Sequence, residues 1–597
     1  MNFKNYGVIF SMSKNFNLKK FYTKYKKDIL SLSFLTIFML ILTLVLLNID
    51  IKLGAYYIRD VFGYLNTALY FAGYQSGVSN LRGLSPFLPF ITSIFFRLGF
   101  ISDATIMIIS AVFYILAVIG FYFLMRLRFK QLNSLLGAIL IATFSINLSW
   151  ATKGMLDLPA LTLSIFSVYF MLLAIKRNSK FYYLTFPTVI IGFFTKYTVV
   201  FIIPVMIMSI LFLDKPLQYL KKVYKNFIGG IMAGSITTGI FLLAYQFYNL
   251  PLFFLSQSQA ISSESSSTSA TVASTVPKVS NNIFYYLNNL LMHMQTFNNP
   301  PYSVKAGFFN IYKLVWIGGE PSIISYILGA ILIVGLIIYL IHLFNKNNLK
   351  LIFTKEIKTY LKITIILISF IIFFVTFQKI SIIESLIIFT IGFLFIYRLL
   401  YKVNIKNLDL DFIFAYWFLI NFIFFTYHVT KVGRYAITFT PALAYFIILG
   451  LVLILTITKK HEKLHFTNLK TITPILLIII LTLSTAICLM NTPTTFDDKH
   501  PADILNASSN EKNIANYIIK TDPNYTSKEI WADRGGDFSF FLMKNIPSEE
   551  ALSQQPNFID SLNRNNVTYF IAKHNNLTFS NYKIIKESGN VTLYKRI

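Results

Sequence analysis

The chain has 597 residues, of which 55% are hydrophobic, 17% aromatic and only 13% charged, and its mean hydropathy is +0.62. Soluble globular chains carry about 25% charged residues, so a soluble enzyme is excluded and an integral membrane protein is indicated. The net charge of +28 is spread in short runs between apolar stretches rather than gathered on one domain, which excludes a nucleic-acid partner and reads as a topology signal.

Residues 1–27 form a basic N-terminus, with Lys19, Lys20, Lys24, Lys26 and Lys27 ahead of the first apolar stretch. That stretch runs from Ile29 to about Leu47. It is too long for a signal-peptide core and no small-residue cleavage site follows it, so it is expected to stay as an anchor. Stretches long enough to cross a bilayer as helices fall near 28–50, 102–125, 132–150, 158–175, 181–194, 198–213, 226–248, 322–344, 360–377, 380–397, 411–428, 435–457 and 471–490. The fifth and sixth are short and read as a broken or re-entrant pair. Further basic runs occur at Arg126, Arg128 and Lys130, at Lys176, Arg177 and Lys180, and at Lys221, Lys222 and Lys225. Others lie at Lys346, Lys350, Lys355 and Lys358, and at Lys459, Lys460 and Lys463. With about thirteen spans all of them land on one side, the cytoplasm. The expected fold is therefore an α-helical polytopic membrane protein in the plasma membrane, its transmembrane domain covering 28–490. Cys488, the single cysteine, lies in the last span, so no disulfide framework is available.

The opposite, outer face collects the candidate chemistry. The first outer loop, 50–101, holds Arg59-Asp60, followed by Val61, Phe62, Leu65, Ala68, Leu69 and Ala72 at helical spacing. This predicts an amphipathic helix lying in the membrane interface, with Asp60 at its N-terminus. A helix start stabilises a carboxylate, so an ordinary N-cap is the alternative to a functional acid. Arg82 precedes Ser85-Pro86. Asp157-Leu158-Pro159 opens the fourth span, Thr195-Lys196 separates the two short spans, and Lys431, Arg434 and Tyr435 lie between the eleventh and twelfth. Two acids and several cations on one side suit a phosphate-bearing lipid and a reacting hydroxyl. A positioned base contributes about 10²–10⁴-fold in rate, and the arginine fork grips phosphate through paired hydrogen bonds.

The order Arg59-Asp60, Tyr64, Ala68, Arg82, Pro86, Asp157-Leu158-Pro159, Thr195-Lys196, Lys431, Arg434-Tyr435 and Pro441 resembles the GT-C membrane glycosyltransferases. Within them it is most similar to the branch holding protein O-mannosyltransferases and lipid A aminoarabinose transferases. The resemblance spans 28–490 and is most specific over 55–205. It implies a GT-C fold and a sugar donor carried on polyprenyl or dolichyl phosphate. It also implies inversion at the anomeric carbon in an outward-facing site. Asp60 and Asp157 take the places of the family's acids. Arg82, Lys431 and Arg434 take those of its phosphate contacts, with Arg59, Tyr64, Lys196 and Tyr435 in the substrate site. Many relatives carry an acidic pair in the first loop, whereas Val61 follows Asp60 here.

The expected activity is transfer of a hexosyl or pentosyl group from that donor to an acceptor that is a protein, lipid or glycan, with Asp60 as base and Asp157 as an orienting acid. The residues require no cofactor; a divalent cation is the open alternative as a ligand of Asp60. The competing function is a transporter or flippase for a polyprenyl-linked glycan. It would place ionisable groups near the midplane and matched interrupted segments in two halves.

The loop 249–321 includes a Ser/Thr-rich stretch, 256–280, that reads as a flexible insertion or a lid, and His293, a lone histidine with no spaced metal partner. Glu384 is an acid near the outer end of the tenth span. Residues 491–597 are polar and are expected to form a small exterior α/β domain. Its helices are predicted near 511–520 and 556–563, its strands near 529–533 and 567–573, and a hairpin over 582–594 around Gly589-Asn590. Asn506, Asn524, Asn566, Asn576 and Asn590 head Asn-x-Ser/Thr sequons.

Overall fold

The structure, a computed structural model, describes residues 18–53, 59–74, 85–250, 283–296, 321–353, 356–377, 379–403, 405–428, 433–461, 468–490, 507–549, 558–573 and 578–597. The apolar runs fold as helices because in hydrocarbon each backbone N–H and C=O must be bonded within its own segment. Among the described residues, 10 helices are long and apolar enough to cross a membrane, each on one of the expected spans. The chain is a multi-pass membrane protein.

Its first ten helices are α1 (Leu18–Leu53), α2 (Arg59–Ala72), α3 (Phe87–Arg97), α4 (Asp103–Met125), α5 (Gln131–Thr143), α6 (Ser145–Trp150), α7 (Asp157–Lys176), α8 (Tyr182–Thr195), α9 (Ile202–Leu211) and α10 (Pro216–Phe247). Long helices Ile323–Leu343, Ile357–Thr376, Ile382–Leu400, Leu408–Tyr427, Thr440–His461 and Leu469–Met490 follow.

The remaining expected spans are interrupted rather than uniform. α5 stops at Phe144, whose ψ of 126° leaves the helical region, before α6 restarts. α8 stops at Lys196, which is extended at φ −158° and ψ 127°, and a 3-10 turn, Tyr197–Phe201, leads into α9. Breaks at membrane depth are tolerated only where protein satisfies the freed backbone groups. Here the Asn147 amide donates to the Ile141 carbonyl at 2.7 Å and the Gln295 amide to that of Thr143 at 2.5 Å.

The basic helix ends gather at one end of the bundle. Arg126 pairs with Asp28 at 2.7 Å and Lys176 with Asp409 at 2.6 Å. Arg128 meets both carboxylate oxygens of Asp411 at 3.2 Å, and that carboxylate also accepts from the hydroxyls of Tyr339, at 3.1 Å, and Tyr445. Because α7 begins at Asp157 and ends at Lys176, this end lies roughly 28 Å from the Asp157 end at 1.5 Å per residue. Helices Ile323–Leu343 and Thr440–His461 cross where a Cβ on Gly335 would stand 2.1 Å from the Gly450 Cα, a close backbone approach of the kind small residues permit in membranes. Glu384 is not a buried acid. It lies exposed in the first turn of Ile382–Leu400, in a reciprocal capping box with Ser381.

The C-terminal residues form a four-stranded sheet ordered β1-β2-β4-β3, with β1 (Ile530–Ala532) parallel to β2 (Tyr569–Ala572) and β3 (Tyr582–Ser588) and β4 (Val591–Arg596) antiparallel. Helices Ala507–Thr521 and Phe558–Arg564 accompany it. Gly589, at φ +55°, turns the hairpin. One helix, Gly535–Phe541, has no counterpart in the sequence pattern: it opens on two glycines and holds three phenylalanines, with no helix-forming periodicity.

α2 also departs from expectation. Residues 61–69 are buried on every side rather than along one face. The C-terminal helix Gly535–Phe541 covers the face that an interfacial helix would leave open.

Replacing Asp411 with Asn leaves the Arg128 charge without its counterion. The expected loss is about 3–5 kcal/mol, read as a lowered unfolding temperature of the detergent-solubilised protein. In the C-terminal domain, burial pushes the Glu511 carboxyl up to about 8; Asp537 acts in the same direction and Lys573 against it. The folded domain therefore holds a proton there that the unfolded chain releases near pH 4.5. Its stability should fall as pH rises from about 4.5 towards 8, and Glu511→Gln should flatten that decline in thermal melts taken across this range.

Candidate active site

Each charged side chain of the candidate site enters from a helix end or a helix break. Asp60 lies in the first turn of α2 and Asp157 in the first turn of α7, where N–H groups favour a carboxylate. Lys196 occupies the extended residue between α8 and the following turn. Arg434 and Tyr435 lie on a 3-10 turn, Gly433–Phe439, that packs against α6, α7 and the helix Leu408–Tyr427.

These elements converge. The Lys196 ammonium forms a buried ion pair with Asp157, whose side chain is only 3% exposed. Arg434 reaches Asp60 at 3.5 Å, a looser and partly open pair. The Arg434 guanidinium lies 5.8 Å from the Trp150 ring and 5.9 Å from that of Tyr435, and the Lys196 ammonium lies 5.2 Å from the Tyr435 ring. Arg434 feels the charges of both Asp157 and Asp60 and the Tyr64 hydroxyl, and Lys196 feels those of Arg434 and Asp60. Two acids and two cations thus share one buried patch, each charge facing its opposite. Charges out of water are tolerated only when paired in this way.

Asp60, Tyr64, Asp157, Lys196, Arg434 and Tyr435 are therefore brought together as a group. Arg82, Lys431 and the side chain of Arg59 lie outside the described residues, as does 256–280. His293 is buried on a short helical turn, Leu290–Met294. Among the described residues no group of three or more His, Cys, Asp or Glu side chains is placed to hold a metal ion, at His293 or elsewhere.

Two cavities adjoin the patch. A small space of about 10 Å³, bordered by Asp157, Lys196, Ser164, Thr198 and Asn421 together with apolar side chains, is the size of one water; Asp157 Oδ2 accepts no hydrogen bond there. A far larger cavity of about 620 Å³ is almost wholly apolar. It runs along α9 and the helix Ile382–Leu400, lined by Phe201, Ile207, Ile383, Ile387 and Phe424 among others, and begins at Tyr197. Tyr197 is within electrostatic reach of Arg434, Tyr435 and Asp157, so one wall of the greasy cavity lies beside the charged patch.

Residues 84–238 match the family of dolichyl-phosphate-mannose-protein mannosyltransferases. That segment is similar to a family of membrane glycosyltransferases. The match takes in Asp157 and Lys196 and leaves Asp60 and Arg434 outside it. No curated protein sequence matches the chain. Among solved structures, ArnT from Cupriavidus metallidurans bound to undecaprenyl phosphate superposes with a TM-score of 0.49 at 10% identity, covering 93% of this chain and 98% of that one. The archaeal oligosaccharyltransferase AglB from Archaeoglobus fulgidus, in complex with an inhibitory peptide and a dolichol-phosphate, gives 0.44 at 11% identity, covering 92% and 70%.

One further buried pair escapes a reading of the sequence. Lys153 lies 3.7 Å from Asp50, which also accepts from the Thr152 hydroxyl. In the sequence Asp50 marks only the boundary of a loop; an acid closing an apolar span was the available signal.

Because Lys196 and Asp157 neutralise one another, Lys196→Met should cost about 3–5 kcal/mol by stranding a buried carboxylate. Lys196→Met combined with Asp157→Leu should recover much of that loss. A double-mutant cycle on unfolding temperatures measures the coupling, and simple additivity would contradict the pairing.

Proposed function

We propose that this protein is a GT-C-type glycosyltransferase that moves a hexosyl or pentosyl group from a polyprenyl- or dolichyl-phosphate donor to an acceptor at the exterior face of the plasma membrane. The observation that carries this reading is the patch of two acids and two cations next to Tyr197, a lining residue of a 620 Å³ apolar cavity. A lipid phosphate needs both features at once, cations for its headgroup and a dry groove for its chain. The similarity of residues 84–238 to a family named for a dolichyl-phosphate donor supports the same substrate class.

The chemistry assigns the roles. An acceptor oxygen attacks the anomeric carbon from the face opposite the phosphate, the bond from that carbon to the phosphate oxygen breaks, and configuration inverts. Asp60 takes the acceptor hydroxyl's proton, while Arg434 and Lys196 bear the charge that grows on the departing lipid phosphate. Asp157 orients Lys196. In the resting state Arg434 leans on Asp60. A bound phosphate competes for that guanidinium and leaves Asp60 free to act as base. Tyr64 and Tyr435 border the substrate, and Arg59, Arg82 and Lys431 complete the headgroup contacts.

The reading is tested by mass spectrometry of lipids that copurify with the solubilised protein. A polyprenyl monophosphate, with or without one sugar, is expected. Long glycans on a polyprenyl diphosphate would instead favour a flippase or an oligosaccharide ligase. With the donor in hand, Asp60→Asn should lower turnover by about 10²–10⁴-fold with the protein still folded in the membrane. Full activity in that variant would remove Asp60 as the base.

A further inference from the structure

We infer that the C-terminal domain is a positioning element for the candidate base: its helix Gly535–Phe541 braces α2 from behind and holds Asp60 against Arg434. This inference rests on the reading of Asp60 given above.

The geometry of α2 carries it. Asp60 and Tyr64 are four residues apart and form one stripe, which faces Arg434. Phe62 and Asn66 are likewise four apart and form a second stripe. At about 100° per residue the two stripes lie on opposite faces of the helix. The second stripe meets the C-terminal domain. The Asn66 amide donates to the Gly536 carbonyl at 2.6 Å, and the Phe62 ring packs on Phe541 at 5.6 Å and on Phe540 at 6.2 Å. Phe96 of α3 joins the same aromatic group at 6.2 Å from Phe540. Asn66 is fully buried, so its bond to Gly536 sets the register of the contact rather than merely covering surface.

The bracing helix is itself fixed to the sheet. A Cβ on Gly535 would stand 2.0 Å from the Ile546 carbonyl oxygen. Asp537, in the helix's first turn, pairs at 3.2 Å with Lys573, which follows β2 and also lies against Glu511. At the other end of α2, Arg97 donates to the Phe71 carbonyl at 2.5 Å and the Tyr70 hydroxyl to that of Tyr248 at 3.0 Å. The half that bears Asp60 is held by the C-terminal domain, from the side opposite Arg434.

The test uses the full-length protein and two readouts, hydrogen exchange of residues 59–69 and steady-state kinetics with the donor. Phe541→Ala is expected to raise exchange there and to lower kcat by roughly 10- to 100-fold, with the donor KM changed by less than about twofold. Phe541→Leu, which keeps apolar bulk, should restore most of both. Asn66→Leu supplies an independent break of the same contact should Phe541→Ala not fold. Unchanged exchange in both variants, or raised exchange with unchanged kcat, overturns the proposal. Asp60→Asn separates the two claims, since it should lower turnover by about 10²–10⁴-fold without altering exchange in α2. A wild-type protein with no transferase activity sinks the catalytic reading and the positioning role with it, whatever the exchange data show for the contact.

Discussion

Everything at the candidate site follows from one constraint: a charge withdrawn from water has to meet its opposite. Asp157 and Lys196 are almost fully enclosed and pair with each other, while Asp60 and Arg434 form a looser pair that is partly open. The difference in exposure divides the labour. The closed pair is a fixed part of the architecture. The open pair, at 3.5 Å, is the more loosely held of the two.

Helix interruptions make that pairing possible. Lys196 could not reach Asp157 from the middle of a continuous helix facing lipid; the extended residue between α8 and its following turn turns it inward. The break after α5 does the same for the segment bearing Trp150, which lies against Arg434. Freed backbone carbonyls at the α5 break are met by Asn147 and Gln295, side chains supplied by protein where water is absent. At the other end of the bundle the same rule produces further paired clusters, Arg128 with Asp411 and its tyrosines above all. An ion pair alone therefore does not mark function. What sets the Asp60–Arg434 end apart is the adjoining apolar cavity and the looseness of one of its pairs.

α2 shows how tertiary context rewrites a local pattern. Its apolar spacing reads as a helix lying on a membrane surface, yet residues 61–69 are buried throughout. The second covering surface comes from Gly535–Phe541, more than four hundred residues away along the chain, through Asn66 and Phe62. That helix is invisible to pattern reading because glycines open it and aromatic residues fill it. Its identity as a helix depends on packing rather than propensity.

The sequence by itself determined the membrane class, the positions of the spans, the common side of the basic runs, and the C-terminal strands and hairpin. These depend on length, hydropathy and local turn chemistry, which are written residue by residue. It also singled out Asp60, Asp157, Lys196, Arg434 and Tyr435 as charged and polar groups beside apolar spans, while Tyr64 came only from the resemblance to the GT-C family. Only the tertiary structure decided which acid meets which cation, where the helices break at Phe144 and Lys196, that Glu384 merely caps a helix, and that Asp50 and Lys153 form a pair of their own. Pairing depends on distances between segments far apart in the chain, and no local pattern encodes those distances.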